Sequence, residues 1–111
     1  HNVDGIKAIL HQLDLMSFNQ LHWVMGMVKD KDSHAVLSLL PITAKYYFTK
    51  ANIPRALDEN ELLTQANEIG LIGSTYSNVN EAILAAKENA GLHDLILVCG
   101  SVFLIAEVQR N

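Results

Sequence analysis

The chain has 111 residues, half of them apolar and 18% charged, which fits one globular domain with a single core and excludes a disordered chain. Eight Lys and Arg against twelve Asp and Glu give a formal charge of -4 with no basic run, so neither nucleic acid nor an anionic membrane is expected as a partner. A single cysteine excludes a disulfide framework and fits a reducing cytoplasm, and no apolar stretch reaches the ~18 residues that a membrane-spanning helix requires.

Residues 3–16 read as a helix, because Val3, Ile6, Ile9, Leu10, Leu13 and Met16 fall three and four apart and make one apolar stripe. Residues 21–26 are short, apolar and stopped by Gly26, the pattern of a buried strand. Asp32 or Ser33 caps a second helix carrying Val36, Leu37 and Leu40, which Pro41 ends. The aromatic run at 45–49 is a strand, and Asn52-Ile53-Pro54 is a loop, since proline restricts the residue before it. Asp58 opens a third helix with Glu61 completing the capping pattern, and Leu62, Leu63, Ala66 and Ile69 form its buried side. Residues 72–76 read as a strand with Gly73 inside it. Asn78 and Glu81 form another capping pair ahead of the stripe Val79, Ala82, Ile83, Ala86 and Ala90, and Gly91 ends that helix. The unbroken apolar run 95–99, with Cys99 as a buried inert thiol, is the pattern of a central parallel strand, and Gly100-Ser101 is expected to turn it into a last helix through Val108. Strands alternating with helices at this spacing predict an α/β fold, a doubly wound, mostly parallel sheet with helices on both faces. No repeat, low-complexity segment or linker divides residues 1–111, so one domain is expected.

Ligands of such sheets sit at the carboxyl ends of the strands. Those ends carry Gly26 to Asp32 after the first strand, Thr49 to Arg55 after the second and Gly100-Ser101 after the last. Lys, Arg, Asp and a capping Ser on one edge suit a small anionic substrate held against helix amino termini, although Asp32 and Ser101 serve equally as simple caps. No phosphate loop and no dinucleotide fingerprint occurs, and the five histidines (1, 11, 22, 34, 93) lack the spacing of a zinc site, so no metal is expected on this chain.

Four motifs taken in order, His1-Asn2 opening a helix, Gly26-x-x-x-Asp30-Lys31-Asp32, Pro54-Arg55-Ala56 and Gly100-Ser101-Val102-Phe103-Leu104, resemble the carboxy-terminal domain of folylpolyglutamate synthase/dihydrofolate synthase, in the Mur ligase superfamily. The resemblance runs over essentially the whole chain. In that family an Asp-Gly-Ala-His-Asn segment ends the domain's first strand. The Asp and its strand are not in this chain, which opens on His1, and Val3 stands where a proline often follows the Asn. The missing strand is expected to leave a groove or an exposed sheet edge through which two copies could pair.

The resemblance implies a reaction. A central domain, not in this chain, binds Mg-ATP and phosphorylates a folate γ-carboxylate or the carboxylate of dihydropteroate. The carboxy-terminal domain presents L-glutamate, whose amine attacks the acyl phosphate to give an amide. ATP and Mg2+ are thus implied for the intact parent enzyme and none for this domain alone, which is expected to be inactive by itself.

By resemblance, His1 lies near the ATP phosphates in a catalytic role and Asn2 fixes the turn beside it. Ser101, Arg55 and Lys31 match positions on the glutamate side, and Asp30, Asp32, Gly26 and Gly100 are loop or structural residues. For Arg55, a salt bridge inside the domain competes with substrate contact. The alternatives are the carboxy-terminal domain of a peptidoglycan Mur ligase, or a non-catalytic small-ligand module.

Overall fold

The computed structural model describes residues 3–29, 32–50, 52–99 and, for the backbone alone, 104–109. The helix α1 (Val3–Asp14) leads into β1 (Leu21–Met25), followed by α2 (Ser33–Leu37), β2 (Lys45–Phe48), α3 (Glu59–Glu68), β3 (Gly73–Thr75), α4 (Val79–Asn89), β4 (Leu95–Cys99) and β5 (Leu104–Gln109). The five strands form one sheet in the order β3-β2-β1-β4-β5. β1 pairs in parallel with both β2 and β4, placing Trp23 opposite Tyr46 and Leu97, and β2 pairs in parallel with β3. The doubly wound, mostly parallel sheet read from the sequence is therefore the observed one.

Strand alternation divides the core between two layers. Leu21, Trp23, Met25, Tyr46, Phe48, Leu95, Leu97 and Cys99 share one cluster with Ile6, Leu13, Val36, Leu37, Leu62 and Ala66, so α1, α2 and α3 cover that face. Val24, Tyr47, Ile96 and Val98 point the other way and pack with Ala82 and Ala86 of α4 and with Ala90 just past its end. The side change follows from topology, since a right-handed crossover from β3 past β2 and β1 to β4 carries its helix to the opposite face. The caps expected at Asp32, Asp58 and Asn78 form. Asp32 accepts from the Ala35 N–H at 3.1 Å, Asp58 from the Asn60 N–H at 2.9 Å, and Asn78 from the Glu81 N–H at 2.9 Å.

The expectation for the last segment is overturned. Residues 104–109 form a strand antiparallel to β4, with Leu104 opposite Cys99 and Gln109 opposite Leu95, where a helix through Val108 was expected. A short apolar run has no periodicity that separates strand from helix, and β4 leaves a free row of N–H and C=O groups on the side away from β1 that a returning strand satisfies. The third strand is also shorter than expected, Gly73–Thr75 in place of 72–76. At Gly73 a Cβ would come within 2.5 Å of the Tyr46 carbonyl oxygen, so the glycine inside that strand allows the close approach of β2.

Candidate functional site

The order of strands reverses between β1 and β4, and their carboxyl ends open onto the edge where a doubly wound sheet takes its ligands. Three backbone hydrogen bonds organise that edge. The Thr49 N–H donates to the Met25 carbonyl at 2.9 Å, Lys29 N–H to the Arg55 carbonyl at 2.8 Å and Leu57 N–H to the Met27 carbonyl at 2.8 Å. With an antiparallel bridge between Val28 and Ala56, the loops after β1 and β2 form a short ribbon. Buried Met27, Val28, Ala56 and Leu57 anchor it, and the turn at its tip closes by the Ala56 N–H donating to the Ile53 carbonyl, with Pro54 pre-setting the turn's φ. Two segments far apart in sequence are thereby held as one rigid shelf that exposes Lys29 and Arg55.

Among the residues expected at the site, Gly26 is buried at the end of β1, Asp32 is exposed and caps α2, and Arg55 is exposed on the ribbon. Gly26, Asp32 and Arg55 are thus brought to one edge. His1, Asn2, Asp30, Lys31, Gly100 and Ser101 lie outside the described residues. The helix amino terminus expected behind Ser101 is replaced by β5 over 104–109, which removes the helix-dipole part of the case for that serine. Cys99, at the carboxyl end of β4, is fully buried, and burial pushes its thiol up to about 11, which leaves it protonated and unsuited to nucleophilic work. No group of three His, Cys, Asp or Glu side chains among the described residues could hold a metal ion. Among the described residues, this edge therefore carries the exposed cations Lys29 and Arg55 beside the exposed carboxylate of Asp32.

Two features escaped the sequence reading. Thr49 is fully buried directly after β2 and its hydroxyl has no hydrogen-bond partner. At the opposite end of the sheet, His22 on β1 is completely buried between two partners, with Nδ1 2.8 Å from the Tyr47 hydroxyl and Nε2 2.8 Å from an Asp94 carboxylate oxygen. Asn89 donates to the Tyr47 hydroxyl at 3.3 Å, and Asp94 also accepts the Gly91 N–H at 2.9 Å and the Gln20 N–H at 3.1 Å. A chain of hydrogen bonds thus links Asn89, Tyr47, His22 and Asp94, giving each buried polar group a partner. A histidine inside a fully buried strand was the available signal, because it demands partners. The network ties β1, β2 and α4 to the turn before β4, at the end of the sheet opposite the carboxyl ends of the strands, so it is structural despite its likeness to an acid-base triad.

The family model for the Mur ligase glutamate ligase domain matches residues 1–102. The chain belongs to that family of glutamate-ligase domains. Within it, the likeness is to the carboxy-terminal part of folylpolyglutamate and dihydrofolate synthases. A probable bifunctional folylpolyglutamate synthase/dihydropteroate synthase of Haloferax volcanii is 31% identical over 112 residues, covering 100% of this chain and 13% of the relative. Escherichia coli FolC, solved in complex with DHPP and ADP, superposes with a TM-score of 0.81 at 27% identity, over 91% of this chain and 24% of that one. The bifunctional folylpolyglutamate synthase/dihydrofolate synthase of Yersinia pestis, solved with AMPPNP and Mn, gives 0.78 at 25% identity over 91% of this chain and 24% of its own. The chain spans about a quarter or less of the length of these relatives.

Proposed function

We propose that this domain is the glutamate-presenting part of an ATP-dependent folylpolyglutamate/dihydrofolate synthase, which joins L-glutamate to a folate or pteroate carboxylate. The observation that carries the reading is the cross-linked ribbon 27–29 and 55–57, which sets Lys29 and Arg55 on the ligand edge of a sheet belonging to the glutamate-ligase family. Because the described residues include neither a phosphate loop nor a metal-ligating group, the nucleotide phosphates and divalent cation would be held by a separate domain. ATP supplies the activation there, converting the acceptor carboxylate to an acyl phosphate. The glutamate amine then attacks the acyl carbon, the C–N bond forms, the C–O bond to phosphate breaks, and the amine proton leaves to solvent.

This domain's task is to fix glutamate so that its amine meets the acyl carbon, which converts a bimolecular encounter into an oriented one. Arg55 and Lys31 would hold the carboxylates, joined by the hydroxyl of Ser101. His1 and Asn2 would face the phosphates, while Gly26 and Gly100 would allow the backbone close approach at the switch point. The partners are thus a central ATPase domain, glutamate and a folate or dihydropteroate acceptor, in the cytoplasm. Among the described residues no helix is long and apolar enough to cross a membrane.

The test is turnover by the full-length polypeptide that carries this domain. Supplied with Mg-ATP, L-glutamate and dihydropteroate or folate, it is expected to release ADP only when all are present, with a product heavier by one glutamyl residue in mass spectrometry. ADP release that ignores glutamate, or a product joined to another amino acid in preference, would reject the reading.

A further inference from the structure

Beyond the ribbon, a groove of ≈ 580 Å³ opens between the loops after β2 and β3, lined by Lys50, Asn52, Ile53, Pro54, Ser77 and Asn78. We propose that this groove binds the γ-linked glutamyl chain already attached to the acceptor, a subsite that holds the growing tail. The proposal rests on the glutamate-ligase reading and deepens it.

The lining matches the chemistry of such a chain. A γ-glutamyl oligomer alternates α-carboxylates with two-carbon methylene spacers, so its receptor needs cationic or amide donors beside apolar wall. Ile53 and Pro54 supply wall, and Lys50 is an exposed ammonium with no ion pair among the described residues. Asn52 likewise has a side chain without a partner there. The polar groups of the opposite wall are partly committed. Asn78 accepts the Glu81 N–H at 2.9 Å and the Ser77 hydroxyl donates to the Glu81 carboxylate, which holds that negative charge back on α4. The Asn78 carboxamide N–H groups remain available.

Position supports the same occupant. The strand order β3-β2-β1-β4 puts the groove two strand spacings, about 10 Å, from the switch point where the incoming glutamate would react. One to two γ-linked units span roughly that distance, so the carboxylates of the preceding residues reach Lys50 while the terminal one is activated. A nucleoside triphosphate is a poorer fit, for the sequence holds no phosphate-loop motif and the described residues hold no group of three metal-ligating side chains.

Titrating the isotopically labelled 111-residue chain with γ-linked triglutamate, and separately with glutarate and with ATP, tests the assignment by amide NMR. The triglutamate is expected to shift Asn52, Ser77, Asn78 and Val79, more tightly than glutarate, and Lys50→Met is expected to weaken it about tenfold, the scale of one charge-assisted hydrogen bond. Lys50→Arg should retain binding, and Lys50 is exposed, so neither change threatens the fold. Shifts confined to Lys29 and Arg55, equal affinity in Lys50→Met, or tighter occupation of the groove by ATP would each overturn the proposal. Its failure is separable from failure of the ligase reading, since glutamate-dependent turnover by the full-length polypeptide would persist without a tail subsite.

Discussion

Asp94 is the residue on which the amino-terminal end of the sheet turns. The Gly91 N–H, then His22, and the Gln20 N–H all stabilise its ionised form, holding its carboxyl below the usual carboxylate range. A depressed folded-state value means that its stabilisation is fully present above the unfolded carboxylate pKa of about 3.9 and is lost as pH falls through the folded value. Thermal melts between about pH 6 and pH 3 should show the natural chain losing stability on acidification more steeply than Asp94→Asn, which starts lower. Parallel curves would show that Asp94 carries no such linkage. Thr49 gives the opposite case. Removing its unpaired buried hydroxyl by Thr49→Val should leave the melting temperature unchanged or raise it, because isosteric loss of an unsatisfied polar group costs nothing. A fall of several degrees would mean that the hydroxyl is paired. Neither residue stands out in the sequence. A threonine after a strand and an aspartate before one look like ordinary turn residues, and only the parallel pairing of β1 with β4 sets Asp94 beside His22.

At the scale of elements, local chemistry was legible wherever it is self-contained. The caps Asp32, Asp58 and Asn78 and the apolar strands 21–25, 45–48 and 95–99 follow from propensity and periodicity. Two things depended on partners and were not legible. β5 exists because β4 has a free edge, which no window of residues 102–108 encodes, and the ribbon joins Val28 to Ala56 across two loops of unremarkable composition. Gly73 makes the element scale testable. An alanine there would put its Cβ 2.8 Å from Phe48 Cε2 and 2.5 Å from the Tyr46 carbonyl oxygen, so Gly73→Ala should push β3 off β2 at a cost of about 1–3 kcal/mol in chemical denaturation. No change in stability would mean that β3 yields freely. Asn78→Ala, by contrast, should cost about 1 kcal/mol through the lost α4 cap without moving the sheet.

For the whole molecule, the proposed division of labour rests on exposed Lys29, Lys50 and Arg55 at the carboxyl ends of the strands, and on the absence of a phosphate loop or a group of three metal-ligating side chains among the described residues. The chain alone is therefore expected to hydrolyse no ATP above background. Magnesium-dependent turnover by a pure sample would refute that division. The central claim, that this domain presents glutamate, is tested most directly by the Michaelis constants of Arg55→Gln in the full-length polypeptide. Loss of one charge-assisted contact should raise the KM for glutamate by about tenfold and leave the KM for ATP unchanged. An unchanged glutamate KM with a raised ATP KM would contradict the claim and move this edge to the nucleotide.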